Sequence, residues 1–136
     1  MLNTLLDKIY TNNIQLTLHH KNIKIEYKMD QNIEKIKQEI KQHKRKIVKR
    51  LTENQKAADK GFFIYGHGDL YEYRYGFHSY LYMERHDNEL VSIYRLKYQK
   101  GSSVPYKTTV MRKNCSFERG FDRAAGFIDW VEERRN

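Results

Sequence analysis

The chain has 136 residues, enough for one domain or two small ones, and carries a net charge of +9 with eleven tyrosines. A single cysteine, Cys115, excludes an internal disulfide and a zinc site built from several cysteines. No run reaches membrane-spanning length, and Asp7 interrupts the apolar start that a signal peptide would need, so the expectation is a cytoplasmic protein with no membrane partner and no cofactor.

The charge is unevenly placed. Residues 1–60 hold fourteen Lys and Arg against seven Asp and Glu, and residues 61–136 hold twelve against ten. A positive field concentrated in one half points to nucleic acid or a nucleoprotein complex, or to an acidic protein segment.

In "TLLDKIYTNN", Leu5, Leu6, Ile9 and Tyr10 recur at helical spacing, Asn3 or Thr4 can cap the start, and Asn12 with Asn13 ends it. Next come "IQLTL" and "IKIEY", two short alternating runs around "HHKN", which predict a hairpin. Two such strands are not stable alone and need flanking helices. Residues 31–51 then read as one helix, with Ile33, Ile36, Ile40, Ile47 and Leu51 on a stripe and His43 in the slot between Ile40 and Ile47. Lys37, Lys41, Lys44, Arg45, Lys49 and Arg50 spread over the other side. A merely solvated helix face normally mixes its signs; this one does not, which makes it the strongest functional signal in the chain. Residues 53–60 read as a linker or a helix tail.

The order "LLDKIYTNNIQLTLHHKNIKIEY" followed by "IEKIKQEIKQHKRKIVKRL" resembles the TubC N-terminal docking domain over residues 1–52. It departs from that pattern in lacking a Gly-Asp type turn in the hairpin and in carrying "KMDQN" where a Pro- or Gly-containing stretch is commoner. The resemblance implies a small αββα(α) module that forms a homodimer and receives a short, often acidic, segment along its hairpin. Lys21, Lys24 and Lys28 would be the charges of that docking hairpin. In megasynthases such a domain precedes a long enzymatic chain, and with only about 80 residues following here a synthase subunit is not expected. Such modules suit accessory proteins of phages and mobile elements.

From residue 61 the period becomes two. "FFIY" and "LYEYRYG" flank the turn "GHGD", and "FHSYLYMER", "LVSIYRLKY" and "YKTTVMRK" continue the pattern. "SFERGFDRAAGFIDWVEERR" returns to helical spacing, with Ser116 as its N-cap. Residues 61–136 therefore predict an antiparallel sheet of four or five strands with a C-terminal helix, and the fold class is α+β.

Three groups in this half are chemical candidates. Tyr71, Tyr73 and Tyr75 share one strand face and could stack bases, although tyrosine is also simply a good strand residue. On "FHSYLYMER", Phe77, Leu81 and Met83 are expected on one side and His78, Tyr80, Tyr82, Glu84 and His86 on the other. His78, Glu84 and His86 could then act as acid and base in a metal-independent ribonuclease, with an arginine for the phosphorane charge. A metal reading of His67, Asp69, His78 and His86 fits no compact ligand spacing, so no metal is expected.

The reading that follows is a non-catalytic binding protein acting on a nucleic acid or nucleoprotein, as a mobile-element accessory factor or an inhibitor of a host nuclease such as a CRISPR effector. The alternatives are the ribonuclease and a pure protein–protein docking adaptor.

Overall fold

The structure, a computed structural model, describes residues 2–28 and 32–135. The chain divides into two units, Met1–Lys56 and Ala57–Asn136.

In the first unit, α1 (Leu2–Thr11) buries Leu5, Leu6 and Ile9. The helix starts at Leu2, so Asn3 and Thr4 belong to its first turn and do not cap it. It ends as the asparagines require: Asn12 Nδ2 donates to the Lys8 carbonyl at 2.6 Å, and Asn13 takes the left-handed conformation at φ 58°. β1 (Gln15–His19) and β2 (Asn22–Glu26) pair antiparallel through a two-residue turn, with Leu16 opposite Ile25 and Leu18 opposite Ile23. His20 supplies the positive φ that so tight a turn needs, 59°.

Two helices follow where the spacing predicts one. α2 (Glu34–Gln42) stops at His43, whose φ of −111° and ψ of 18° leave the helical region, and α3 (Lys44–Asp59) begins directly after it. A straight helix would carry the His43 imidazole into the apolar core between Ile40 and Ile47, where burying a polar ring is costly. The break leaves His43 half-buried while Ile40 and Ile47 both join the core of Leu5, Leu6, Ile9, Ile14, Leu16, Ile33 and Ile36. Residues 53–59 are helix rather than linker. Within "KMDQN", Met29 to Gln31 lie outside the described residues, as does the helix start expected at 31.

The second unit is a meander. β3 (Phe63–Tyr65), β4 (Leu70–Gly76), β5 (Ser79–Arg85), β6 (Val91–Tyr98) and β7 (Pro105–Cys115) form one antiparallel sheet in chain order, with β3 and β7 at its edges. α4 (Phe117–Arg135) crosses one face, its first turn capped by Ser116 Oγ, which accepts from the Arg119 amide at 3.3 Å. Beneath it lie Tyr71, Leu81, Met83, Val91 and Ile93, closed by Phe117, Phe121, Ala124 and Ile128. Gly120 sits against the sheet: a Cβ there would stand 2.5 Å from Val91 Cγ2. Arg85 is buried on this side yet well partnered. Its Nε donates to the Gly68 carbonyl at 2.8 Å and its Nη2 to the Tyr71 hydroxyl at 2.9 Å. The fold is thus the α+β arrangement expected from the sequence. Among the described residues no helix is long and apolar enough to cross a membrane.

Candidate nucleic-acid interface

The hairpin turn and α3 enclose a groove of about 700 Å³ lined by His20, Lys21, Lys44, Arg45, Val48, Lys49 and Thr52. Lys44, Arg45 and Lys49 follow one another around an exposed α3 surface at i, i+1 and i+5, and Val48 makes a half-buried apolar floor between them. Lys21 and His20 come from the turn, held in place by the strand pairing on either side. Lys44 Nζ also donates to Asn22 Oδ1 at 3.1 Å, which ties the helix start to the second strand. Among the described residues no carboxylate lines this groove.

The remaining predicted cations lie elsewhere. Arg50 is 1 % exposed and donates from Nη1 to Asn3 Oδ1 at 2.6 Å, so it braces α3 against α1 and is not part of the outer face. Lys37 rests on Tyr27, 4.8 Å from the ring centroid and 3.1 Å from its hydroxyl, and that hydrogen bond raises the lysine's pKa. Lys24 pairs with Glu26 at 3.7 Å. Lys28 and Lys41 are exposed outside the groove. Thus Lys21, Lys44, Arg45 and Lys49 converge, whereas Lys24, Lys28, Lys37, Lys41 and Arg50 do not join them.

The proposed stacking stripe is corrected by the register. Tyr71 is fully buried under α4, edge-on to Phe117, and Tyr73 and Tyr75 pack half-buried on the same covered side. Tyr75 lies 4.9 Å from Phe127, and the Tyr73 hydroxyl donates to Glu132 Oε1 at 2.6 Å. These rings serve the core. The tyrosines of the opposite face are Tyr65, Tyr80, Tyr82, Tyr94 and Tyr98. Tyr80 and Tyr82 lie near-parallel at 6.0 Å, Tyr94 is 5.5 Å from Tyr82, and Tyr98 is 5.7 Å from Tyr80. At the centre, Glu72 accepts from the Tyr82 hydroxyl at 2.8 Å and from the Tyr65 hydroxyl at 3.2 Å. Burial, then the bond to the Glu72 carboxylate, pushes the Tyr82 phenol well above its ordinary pKa. Arg74, exposed, covers the Tyr80 ring at 5.2 Å. The Phe77–His78 turn alone would set Tyr71 opposite Glu84; an irregularity between Arg74 and Gly76 shifts the register by one residue and places Tyr71 opposite Met83 and Glu72 opposite Tyr82.

The ribonuclease set is not assembled. His78 occupies the β4–β5 turn at φ 54°, where its neighbour Phe77 is 83 % exposed rather than facing inward with Leu81 and Met83. His86 lies beyond the far end of β5, eight residues away, so at about 3.3 Å per strand residue roughly 25 Å of backbone separates the two positions. His86 Nε2 is instead 2.7 Å from Ser92 Oγ, which also accepts from the Asn114 amide at 3.1 Å, and so helps hold β6 to β7. Glu84 is exposed on the open sheet face. One phosphate cannot touch all three. His67 and Asp69 belong to the β3–β4 turn, and no group of three or more His, Cys, Asp or Glu among the described residues could hold a metal ion.

The chain matches no family model, no curated protein and no solved structure.

Proposed function

We propose that this chain is a binding protein that takes up nucleic acid along the cationic groove of its first unit. One observation carries the reading: Lys21 and the Lys44, Arg45 and Lys49 cluster, more than twenty residues apart in sequence, line one groove to which no described residue brings a carboxylate. Such a surface neutralises successive phosphates, and the counterions released drive binding without base specificity. Four cations imply a log–log salt slope of about −3 on a single strand. The role this suits is that of a mobile-element accessory factor or an inhibitor of a host nuclease such as a CRISPR effector.

Fluorescence anisotropy with a labelled single-stranded RNA at several salt concentrations tests the reading. The Lys44→Gln/Arg45→Gln/Lys49→Gln variant should reduce the slope by about two units. Unchanged binding in this variant would overturn it. A second reading, docking of an acidic protein segment, is favoured by the apolar Val48 floor and by the helix–hairpin–helix order that the TubC resemblance implies. It predicts that a Glu-rich peptide competes with the RNA, and that the chain sediments as a homodimer.

A further inference from the structure

The second unit carries another groove, of about 490 Å³, lined by Arg95 of β6 and by Arg123, Gly126, Phe127 and Trp130 of α4. Arg95 pairs in register with Leu81 and so points to the covered side of the sheet, where its guanidinium stands 4.7 Å from the Phe127 ring centroid. Its Nε is buried and has no hydrogen-bond partner among the described residues. A buried guanidinium N–H lacking an acceptor is unfavourable in the free protein and is relieved by an oxyanion. Arg123, one turn before Phe127, is exposed and brings a second planar fork to the same groove. Among the described residues no carboxylate lines it. Asp129 and Glu132 of α4 are engaged elsewhere, by Lys60 at 2.5 Å and by the Tyr73 hydroxyl at 2.6 Å.

The rest of the groove is aromatic and open. Trp130 is 51 % exposed and stacks on Phe127 at 6.1 Å with an interplanar angle of 24°. Gly126 keeps the wall low, since a Cβ there would meet nothing within 4 Å. Paired guanidinium forks suit phosphate, and an exposed indole suits a nucleobase. The space fits a small organic molecule and is far larger than a lone phosphate needs. Arg134 lies over the indole at 3.9 Å, and as an exposed side chain it yields that contact to a stacking base.

The geometry points to a nucleotide site, with the phosphate on Arg95 and Arg123 and the base on Trp130. It is separate from the cationic groove of the first unit and does not depend on the function proposed for it. A free nucleotide and the 5′-phosphorylated end of a strand share this chemistry.

Trp130 is the chain's one tryptophan, so its emission reports the site directly. The full chain is titrated at physiological salt with AMP, adenosine, inorganic phosphate and a 5′-phosphorylated tetranucleotide. AMP is expected to quench saturably, with adenosine and phosphate each weaker by about tenfold or more. Tighter binding of the tetranucleotide assigns the site to strand ends, and equal binding assigns it to free nucleotides. Arg123→Gln should weaken AMP by about tenfold at unchanged melting temperature. Gly126→Leu, which projects into open space, should abolish quenching while the fold persists. The Lys44→Gln/Arg45→Gln/Lys49→Gln variant should quench as the parent does. Absence of saturable quenching by AMP and the tetranucleotide, equal affinity for AMP and inorganic phosphate, or full binding in both site variants would overturn the assignment.

Discussion

In α3, Lys49 is exposed and lines the cationic groove, while Arg50 beside it is buried and donates to Asn3 of α1. The two should separate in mutation. Arg50→Met is expected to lose about 1.5–3 kcal/mol, the range for a hydrogen bond to a charged group, with RNA affinity held. Lys49→Gln should stay within about 0.5 kcal/mol in stability yet bind RNA more weakly. Urea melts and anisotropy read the two effects. Tyr82 offers a residue-scale test in pH. Its folded pKa is raised, so below about pH 10, the ordinary tyrosine value, it is neutral in both states and contributes no pH dependence. Above that, the unfolded chain releases a proton that the folded one keeps, and stability falls as pH rises. Tyr82→Phe should lower stability near neutrality by about 1 kcal/mol through the lost bond to Glu72, while shallowing the alkaline decline. Urea midpoints on both sides of the tyrosine range check this.

At the scale of the element, α4 holds two glycines with opposite expectations. Gly120→Ala drives a methyl into Val91 Cγ2 and should cost about 1–3 kcal/mol, whereas Gly126→Ala fills open space and should add about 0.5–1 kcal/mol through helix propensity. Thermal melts of the two variants should move in opposite directions. The elements themselves are legible in the sequence because each period is clear: 3.6 in α1, α2 and α4, two in the strands. Two features are not. The break at His43 is masked because Ile40, His43 and Ile47 keep heptad spacing through it, and only the clash of an imidazole with an apolar core argues for a stop. The covered face of the sheet is masked because tyrosines occupy both sides, Tyr71, Tyr73 and Tyr75 on one and Tyr80, Tyr82 and Tyr94 on the other. Periodicity assigns residues to a common face but not that face to a helix; cross-strand register does, through Met83 and Leu81. Arg50 was obscured differently. Its position, three residues past Ile47, places it on the packing side, and its charge suggests the reverse. The convergence of Lys21 with Lys44, Arg45 and Lys49 needs tertiary structure, because no local pattern joins a turn to a helix more than twenty residues later.

For the whole molecule, the two halves carry unequal charge, and the electrostatic part of binding is expected to reside in the first. The second half is nearly balanced, yet its cations are not evenly spread, and this bears on the sheet's outer edge. β7 is an eleven-residue edge strand with Tyr106 and Val110 exposed. Long open edges invite pairing with another copy. Antiparallel pairing of β7 with itself about Val110 would set Lys107 directly opposite Lys113, and like charges in facing positions repel. Pro105 further blunts one end of the strand by removing a donor. The lysines on this strand thus oppose sheet-to-sheet pairing in that register. Lys107→Glu would turn each repulsive facing pair into an attractive one, and this variant should form sheet-joined dimers or larger species in sedimentation runs at concentrations where the parent does not associate through β7.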